Sequence, residues 1–310
     1  MHNLHLQSLA EDTSPSTRLR LPDFFIIGSA KCGTTTLYKY LCRHPRIFMS
    51  TPKEMSFFSK NDVYQQRMPW YAKLFADARA DQLCGEASTT YTRWPLYGNT
   101  ADRLAAVQPD ARLIYLVRDP VERLFSFYAH RMRESVTATF EEFLANTPEA
   151  VDSGRYMTQI KRYLQFFCEE QILVLFTQDL HESPQIPLEK TRQFLDLPTF
   201  DYLAAGPIRA NQGGGKYFAA ASLTQTIRSL KRAPAVASVL NRVPAHARKA
   251  GYEWLANGPI GMKLQRRHQR KMSSVTPKVR QQILEMYSEE VEQLADYTGR
   301  CLADWKPQAP

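Results

Sequence analysis

No stretch of this chain approaches the roughly 20 consecutive apolar residues of a membrane-spanning helix. Its first twenty residues, MHNLHLQSLAEDTSPSTRLR, hold no apolar run of the kind that forms a secretory leader. Cysteine is scarce: Cys32, Cys42, Cys84, Cys168 and Cys301 make an odd set of five without a C-x-x-C pair. That pattern indicates neither a disulfide framework nor a zinc site and fits a reducing compartment. These absences predict a cytoplasmic protein with a flexible tail over residues 1–20. Glycine, at 13 of 310 residues, excludes a collagen. With 44% apolar and 23% charged residues, the composition is that of a globular chain the size of one large domain. Acidic residues are missing from one region above all. Between Pro207 and Arg280, Glu253 stands alone among 15 Lys/Arg, a local charge of +14 in a chain of net +9. Such a segment is either a solvated helical face or a contact for an anionic ligand, polymer or surface.

What is present is an alternation of strand and helix. Phe24-Phe25-Ile26-Ile27 is a continuous apolar run ending at Gly28, which suits a strand buried on both faces. Thr34–Leu41 reads as a helix stopped by Pro45. Leu113–Val117 reads as a second buried strand. Asp119 as N-cap, Pro120 in the first turn and Glu122 after it then predict a new helix carrying Val121, Leu124, Phe125 and Tyr128 on one side. Ile172–Phe176 is a third strand, with helices expected at about Tyr156–Phe167 and Pro187–Leu195. This order implies an α/β domain with a mostly parallel sheet and helices on both faces. From about 207 to 270 the pattern weakens into basic pieces punctuated by Gly213-Gly214-Gly215, Pro234, Pro244 and Pro259, so an irregular, ligand-facing region is expected there. A last helix, 276–300, is expected to begin at Thr276-Pro277 and to bury Val279, Ile283, Met286, Tyr287, Val291 and Leu294.

The most informative stretch is Gly28-Ser29-Ala30-Lys31-Cys32-Gly33-Thr34-Thr35-Thr36, between the first strand and its helix. Backbone N–H groups in such a turn, together with a helix N-terminus, form an anion site. Lys31 adds a charge, and the three threonines add hydroxyl donors. Gly28 and Gly33 have the spacing of the nucleotide-triphosphatase loop, but Thr34 stands where that loop has its lysine, which disfavours an ATPase. Arg118 follows the second strand directly, and Ser126 lies two turns into the next helix. Those two residues can flank one anion at the carboxyl ends of neighbouring strands. The competing reading pairs Arg118 with Glu122 and leaves Ser126 incidental. Asp119 is assigned to capping.

Together these stretches resemble the sulfotransferases that use 3′-phosphoadenosine 5′-phosphosulfate. FFIIGSAKCGTTTLYKYLCRHP is similar to that family's 5′-phosphosulfate loop, and LIYLVRDPVERLFSFYAH to its 3′-phosphate motif. The likeness runs from about Pro22 to Leu197, with a weaker echo through Trp305. It implies a P-loop-like three-layer domain over residues 21–310. It also implies that Arg118 and Ser126 bind the donor's 3′-phosphate, while Lys31, Cys32, Gly33, Thr34, Thr35 and Thr36 hold the sulfated end. Lys216, behind the glycine run, either closes over the adenine or 3′-phosphate or belongs to an untethered loop. Pro52-Lys53-Glu54-Met55-Ser56-Phe57-Phe58 resembles the heparan-sulfate type of carbohydrate enzyme, and Glu54 matches its base. Cys84–Tyr91 resembles a substrate-side segment of the same enzymes. Ser56 replaces a histidine, and Ala87 a lysine, that some relatives carry.

The resemblance therefore implies sulfuryl transfer to a hydroxyl of a carbohydrate or metabolite, with no metal and no nucleic-acid partner. Lys31 would stabilise the departing phosphate oxygen, and Glu54 would take the acceptor's proton. Phe57 and Tyr91 are candidates to wall the acceptor. Glu86 is a second acid, an acceptor ligand or the buried partner of an arginine. Two other classes compete: a P-loop kinase or NTPase using Asp119 for magnesium, and a polyanion-binding module built on residues 207–280.

Overall fold

The computed structural model describes residues 19–65, 68–133, 140–208 and 276–307. The tail before 19, the basic region 209–275 and Lys216 within it lie outside the described residues. Five parallel strands form one sheet in the order β2-β3-β1-β4-β5: β1 Phe24–Gly28, β2 Ile47–Met49, β3 Leu83–Ala87, β4 Arg112–Val117 and β5 Ile172–Phe176. All of β1, and β4 beyond Arg112, are buried, which is why both read as unbroken apolar runs. The first two connections build outward to β2 and back to β3. The third crosses over β1 to β4. Strand order thus reverses about β1, the switch point at whose carboxyl edge open α/β sheets place a ligand crevice.

β2 and β3 do not show in the sequence as strands. β2 has only three residues, and β3 (Leu-Cys-Gly-Glu-Ala) contains no β-branched residue and one buried acid. Their pairing with a central strand overrides that weak propensity. Gly85 is needed there: a Cβ would lie 2.3 Å from the Phe24 ring and 2.6 Å from Met49 Sδ. The helix Thr34–Leu41 occupies its expected span. Asp119 caps the helix Pro120–Arg133 by accepting the Glu122 N–H at 2.9 Å, and its other oxygen pairs with Arg280 at 3.1 Å. Both oxygens that a magnesium-binding role would use are thus engaged by the protein.

The helix expected over 276–300 is two helices, Pro277–Met286 and Ser288–Thr298, divided at Tyr287. Thr276 caps the first, accepting from Val279 N at 3.3 Å. The buried stripe runs on across the division: Ile283, Leu284, Tyr287, Val291 and Leu294 are buried, while Met286, expected on that side, is exposed. Tyr287, fully buried, donates to Val151 O at 2.8 Å. Glu290 accepts from Met157 and Thr158 N–H at 2.8 and 3.1 Å, which caps the helix Tyr156–Tyr163 from outside. The C-terminal helices therefore brace the segment that carries Tyr156. Among the described residues no helix is long and apolar enough to cross a membrane.

Gly85→Ala is expected to lower stability by about 1–3 kcal/mol, the scale of core overpacking. Phe24→Leu in the same chain is expected to recover part of that loss. Urea unfolding of the two variants checks both; an unchanged midpoint for Gly85→Ala would show that the sheet yields more easily than this packing implies.

Candidate functional site at the carboxyl edge of the sheet

The loop after β1 is shaped by two glycines. Gly28 has φ +155°, and a Cβ there would lie 1.9 Å from Thr92 Oγ1, so only glycine lets β1 turn beneath the 3₁₀ turn Thr89–Thr92. Gly33, in the left-handed region, is the N-cap of the helix Thr34–Leu41 and offers no side-chain acceptor to it. Thr36 and Leu37 N–H both bond to Gly33 O, at 2.9 and 3.2 Å. The first amides of any helix have no intrahelical acceptor, so those of Thr34 and Thr35 are placed as such a helix start places donors for an anion. Thr34 and Thr36 are buried and Thr35 is half-buried. Lys31, with φ +73°, makes the turn between the two glycines.

Four contacts pin this loop to the end of β4. Ser29 N–H donates to Leu116 O at 2.8 Å. Thr177 Oγ donates to Cys32 O at 2.7 Å and lies 2.9 Å from Val117 O. Tyr156 OH donates to Arg118 O at 2.7 Å and sits 3.6 Å from Cys32 Sγ. Arg118 Nη1 reaches Lys31 O at 3.4 Å. The lysine turn and the arginine are therefore neighbours in one crevice. Arg118 also pairs with Glu122 at 3.0 Å, so the competing reading of that contact describes the ligand-free chain. Glu122 and Ser126 are four residues apart on one helix face, which sets half-buried Ser126 on the side where Arg118 lies. Cys32 meets Thr177 through its main chain and Tyr156 through its thiol. Its thiol is fully buried, and burial pushes its pKa up.

Behind the loop, Arg123 is fully buried. Nη1 donates to Ser153 Oγ at 3.1 Å and Nη2 to Ala150 O, while Ser153 O accepts from Ser29 Oγ at 2.9 Å. Nearby phenols, first Tyr287 and then Tyr156, favour its charged form against the cost of burial. The sequence carries no site signal for Tyr156, Thr177 and Arg123. Each lies outside the anion motifs' ligand positions, and a helix tyrosine or a threonine after a strand carries no signal of its own.

Glu54 lies across the crevice. Its N–H bonds to Ala87 O at 2.9 Å, and φ +66° turns the chain there. Its carboxylate accepts from Thr89 N–H at 2.7 Å and Thr89 Oγ at 3.1 Å, and pairs with Lys53. Lys53 Nζ also reaches Thr34 Oγ1, at 3.4 Å. In the sequence Lys53 stands only as a neighbour of Glu54; in the fold it connects that acid to the helix after the β1 loop.

Three candidates for the acceptor side require correction. Phe57, Glu86 and Tyr91 are buried among the described residues, at 0%, 0% and 3% exposure. Phe57 stacks on Tyr71 with ring centroids 4.0 Å apart. Glu86 has hydroxyl partners rather than an arginine: Tyr71 OH, Ser88 Oγ at 2.5 Å and Tyr91 OH at 2.8 Å. Their role is support, because Ser88 Oγ in turn accepts the Ser56 N–H at 2.9 Å and so holds the turn that carries Glu54. His44 is likewise structural, buried with its ring nitrogens against Pro198 O and Arg46 N–H. A groove of about 530 Å³ lies elsewhere, along the outer edge of β5 beside Lys190 and Arg300, with β4 between β5 and β1.

With this geometry established, the likenesses to known proteins agree with it. Residues 21–206 match the sulfotransferase domain family, and the chain belongs to that family. It is 30% identical over 218 residues to the human bifunctional heparan sulfate N-deacetylase/N-sulfotransferase 3, covering 63% of this chain and 24% of that protein. It is 43% identical over 113 residues to the membrane-associated sulfotransferase kil1 of Dictyostelium discoideum, covering 36% and 23%. The chain thus matches about a quarter of the length of these curated relatives. Among solved structures, the sulfotransferase from Alicyclobacillus acidocaldarius shares the fold with a TM-score of 0.64 at 24% identity, over 93% of this chain and 99% of that one.

Burial raises the Glu86 pKa, against the opposing pull of its three hydroxyl donors. A carboxyl held above its unfolded value adds stability at low pH and loses it as pH rises through the folded value. Glu86→Gln is therefore expected to gain stability relative to the wild type as pH increases from about 4.5 toward 8. Thermal unfolding of both proteins across that range checks it; a difference independent of pH would mean Glu86 titrates as it does in the unfolded chain.

Proposed function

We propose that this chain transfers a sulfuryl group from 3′-phosphoadenosine 5′-phosphosulfate to a hydroxyl of a carbohydrate or metabolite, without a metal. The reading rests on one observation: Arg118 donates to the carbonyl of Lys31, so the two anion-binding motifs share a single crevice. A donor carrying anionic groups at both ends fits such a pair. Arg118 and Ser126 would hold the 3′-phosphate. The amides at the start of the helix, the Thr34, Thr35 and Thr36 hydroxyls and Lys31 would hold the sulfated end. These donors also lie where charge develops on the leaving phosphate oxygen, so they stabilise the transition state without reorganising. The acceptor oxygen must approach in line with the bond that breaks, and Glu54, at the crevice mouth, would take its proton.

Supporting the carbohydrate acceptor are the family and the likeness to the human heparan sulfate enzyme. That enzyme's name also favours a second reading, in which the acceptor atom is an amino-sugar nitrogen. The +14 charge between Pro207 and Arg280 suits a polyanionic acceptor of either kind.

Transfer of radiolabelled sulfate is expected in the presence of a metal chelator, assayed on polysaccharides with free hydroxyls and with free amines. Glu54→Gln is expected to lower kcat by about 10²–10⁴-fold. Arg118→Ala is expected to weaken calorimetric binding of adenosine 3′,5′-bisphosphate by about 10–100-fold, the value of a hydrogen bond to a charged group, and Ser126→Ala by less. Wild-type affinity in both variants would remove the 3′-phosphate assignment, and magnesium-dependent ATP turnover in place of sulfate transfer would revive the kinase-like reading.

A further inference from the structure

The carboxylate of Glu54 is held from both sides. Thr89 supplies an N–H and a hydroxyl to Oε2, and the Lys53 ammonium meets Oε1. The Lys53 side chain is 15% exposed against 40% for Glu54, so it lies inward of the acid it pairs with. Its Nζ also reaches Thr34 Oγ1 at 3.4 Å. Thr34 is the first residue of the helix whose amides form the anion cradle. One ammonium thus stands between the Glu54 carboxylate and the start of that helix, within hydrogen-bond distance of Glu54 Oε1 and of Thr34 Oγ1. An ammonium is a compact charge with three donors on a flexible stem, so it can shift between two acceptors without moving the backbone.

We propose that Lys53 is a positioning residue shared by the two sites. In the ligand-free chain it neutralises Glu54. An anionic group seated on the helix N-terminus draws the ammonium over to itself, and Oε1 of Glu54 is released to accept the acceptor's proton. Proton abstraction is thereby tied to donor occupancy, and the donor binds before the acceptor can be activated. This proposal rests on the donor reading above and goes beyond it, because that reading assigns Lys53 no role. Glu86, beneath Glu54 on β3, and Arg93, beyond the 3₁₀ turn, also lie within electrostatic reach of Glu54. A test that compares Glu54 variants in two Lys53 backgrounds cancels their contribution.

That test is a double-mutant cycle on binding of adenosine 3′,5′-bisphosphate, measured by calorimetry. Glu54→Gln removes the competing carboxylate and is expected to tighten binding about threefold, the scale of a half-exposed ion pair. Lys53→Met is expected to weaken binding about tenfold. In the Lys53→Met background, Glu54→Gln is expected to change nothing, whereas with Lys53→Arg, which keeps the charge, the tightening is expected to remain. Adenosine 3′-monophosphate, lacking the group at the loop, is expected to show no Glu54 effect. Thermal unfolding verifies that each variant folds, and Lys53→Gln replaces Lys53→Met if the latter does not. Equal tightening in both backgrounds, or none in either while the wild type binds, overturns the shared role and leaves the donor reading standing. A wild type that fails to bind the nucleotide overturns both.

Discussion

The hydroxyl of Tyr156 joins the pieces of chain on which the rest of the site depends. It donates to the carbonyl of Arg118 and touches the thiol of Cys32, so the end of β4 and the loop after β1 are fixed to one point. An anion cradle made of backbone amides cannot satisfy those amides internally, because they must remain available to the ligand. Such a loop gains little from its own hydrogen bonds and has to be held by its neighbours. Tyr156, Thr177 and Ser29 supply that support through the carbonyls the cradle does not use. Burial, with the buried Cys32 thiol beside it, keeps the Tyr156 phenol well above its ordinary range, so its proton stays in place.

Support for the site extends to buried polar groups. Arg123 is fully buried among carbonyl, hydroxyl and phenol groups behind the loop, and Glu86 among three hydroxyls beneath the Glu54 turn. Burying a charged group costs free energy unless its hydrogen bonds are made. Here each fixes a neighbouring main chain: Arg123 through Ser153 and Ala150, Glu86 through Ser88 and Ser56. Preorganisation of this kind fits a domain whose chemistry is positioning and charge balance.

In the ligand-free chain two of the cations around the crevice rest on acids beside them in sequence, Arg118 on Glu122 and Lys53 on Glu54. Both pairs are partly exposed, so neither is a large barrier to a more highly charged ligand. They keep the basic side chains ordered and close to where an anion would sit.

Much of this was legible in the amino-acid order. Continuous apolar runs marked β1, β4 and β5, Asp119 marked a helix start, and Gly28, Lys31, Gly33 and the threonines marked the loop, because each depends on neighbours a few residues away. The same local logic offered Phe57, Tyr91 and Glu86 as acceptor-side candidates by motif position, whereas packing turns their side chains inward. It also missed β2 and β3, whose propensity is weak, and the break at Tyr287, across which the buried stripe continues. What the sequence determined by itself was the family of anion-binding segments and the strands that end in them. What only the tertiary structure decided was their convergence on Tyr156 and the placing of Lys53 between Glu54 and Thr34, since contacts between residues far apart in the chain exist only after the parallel sheet has brought its carboxyl ends together.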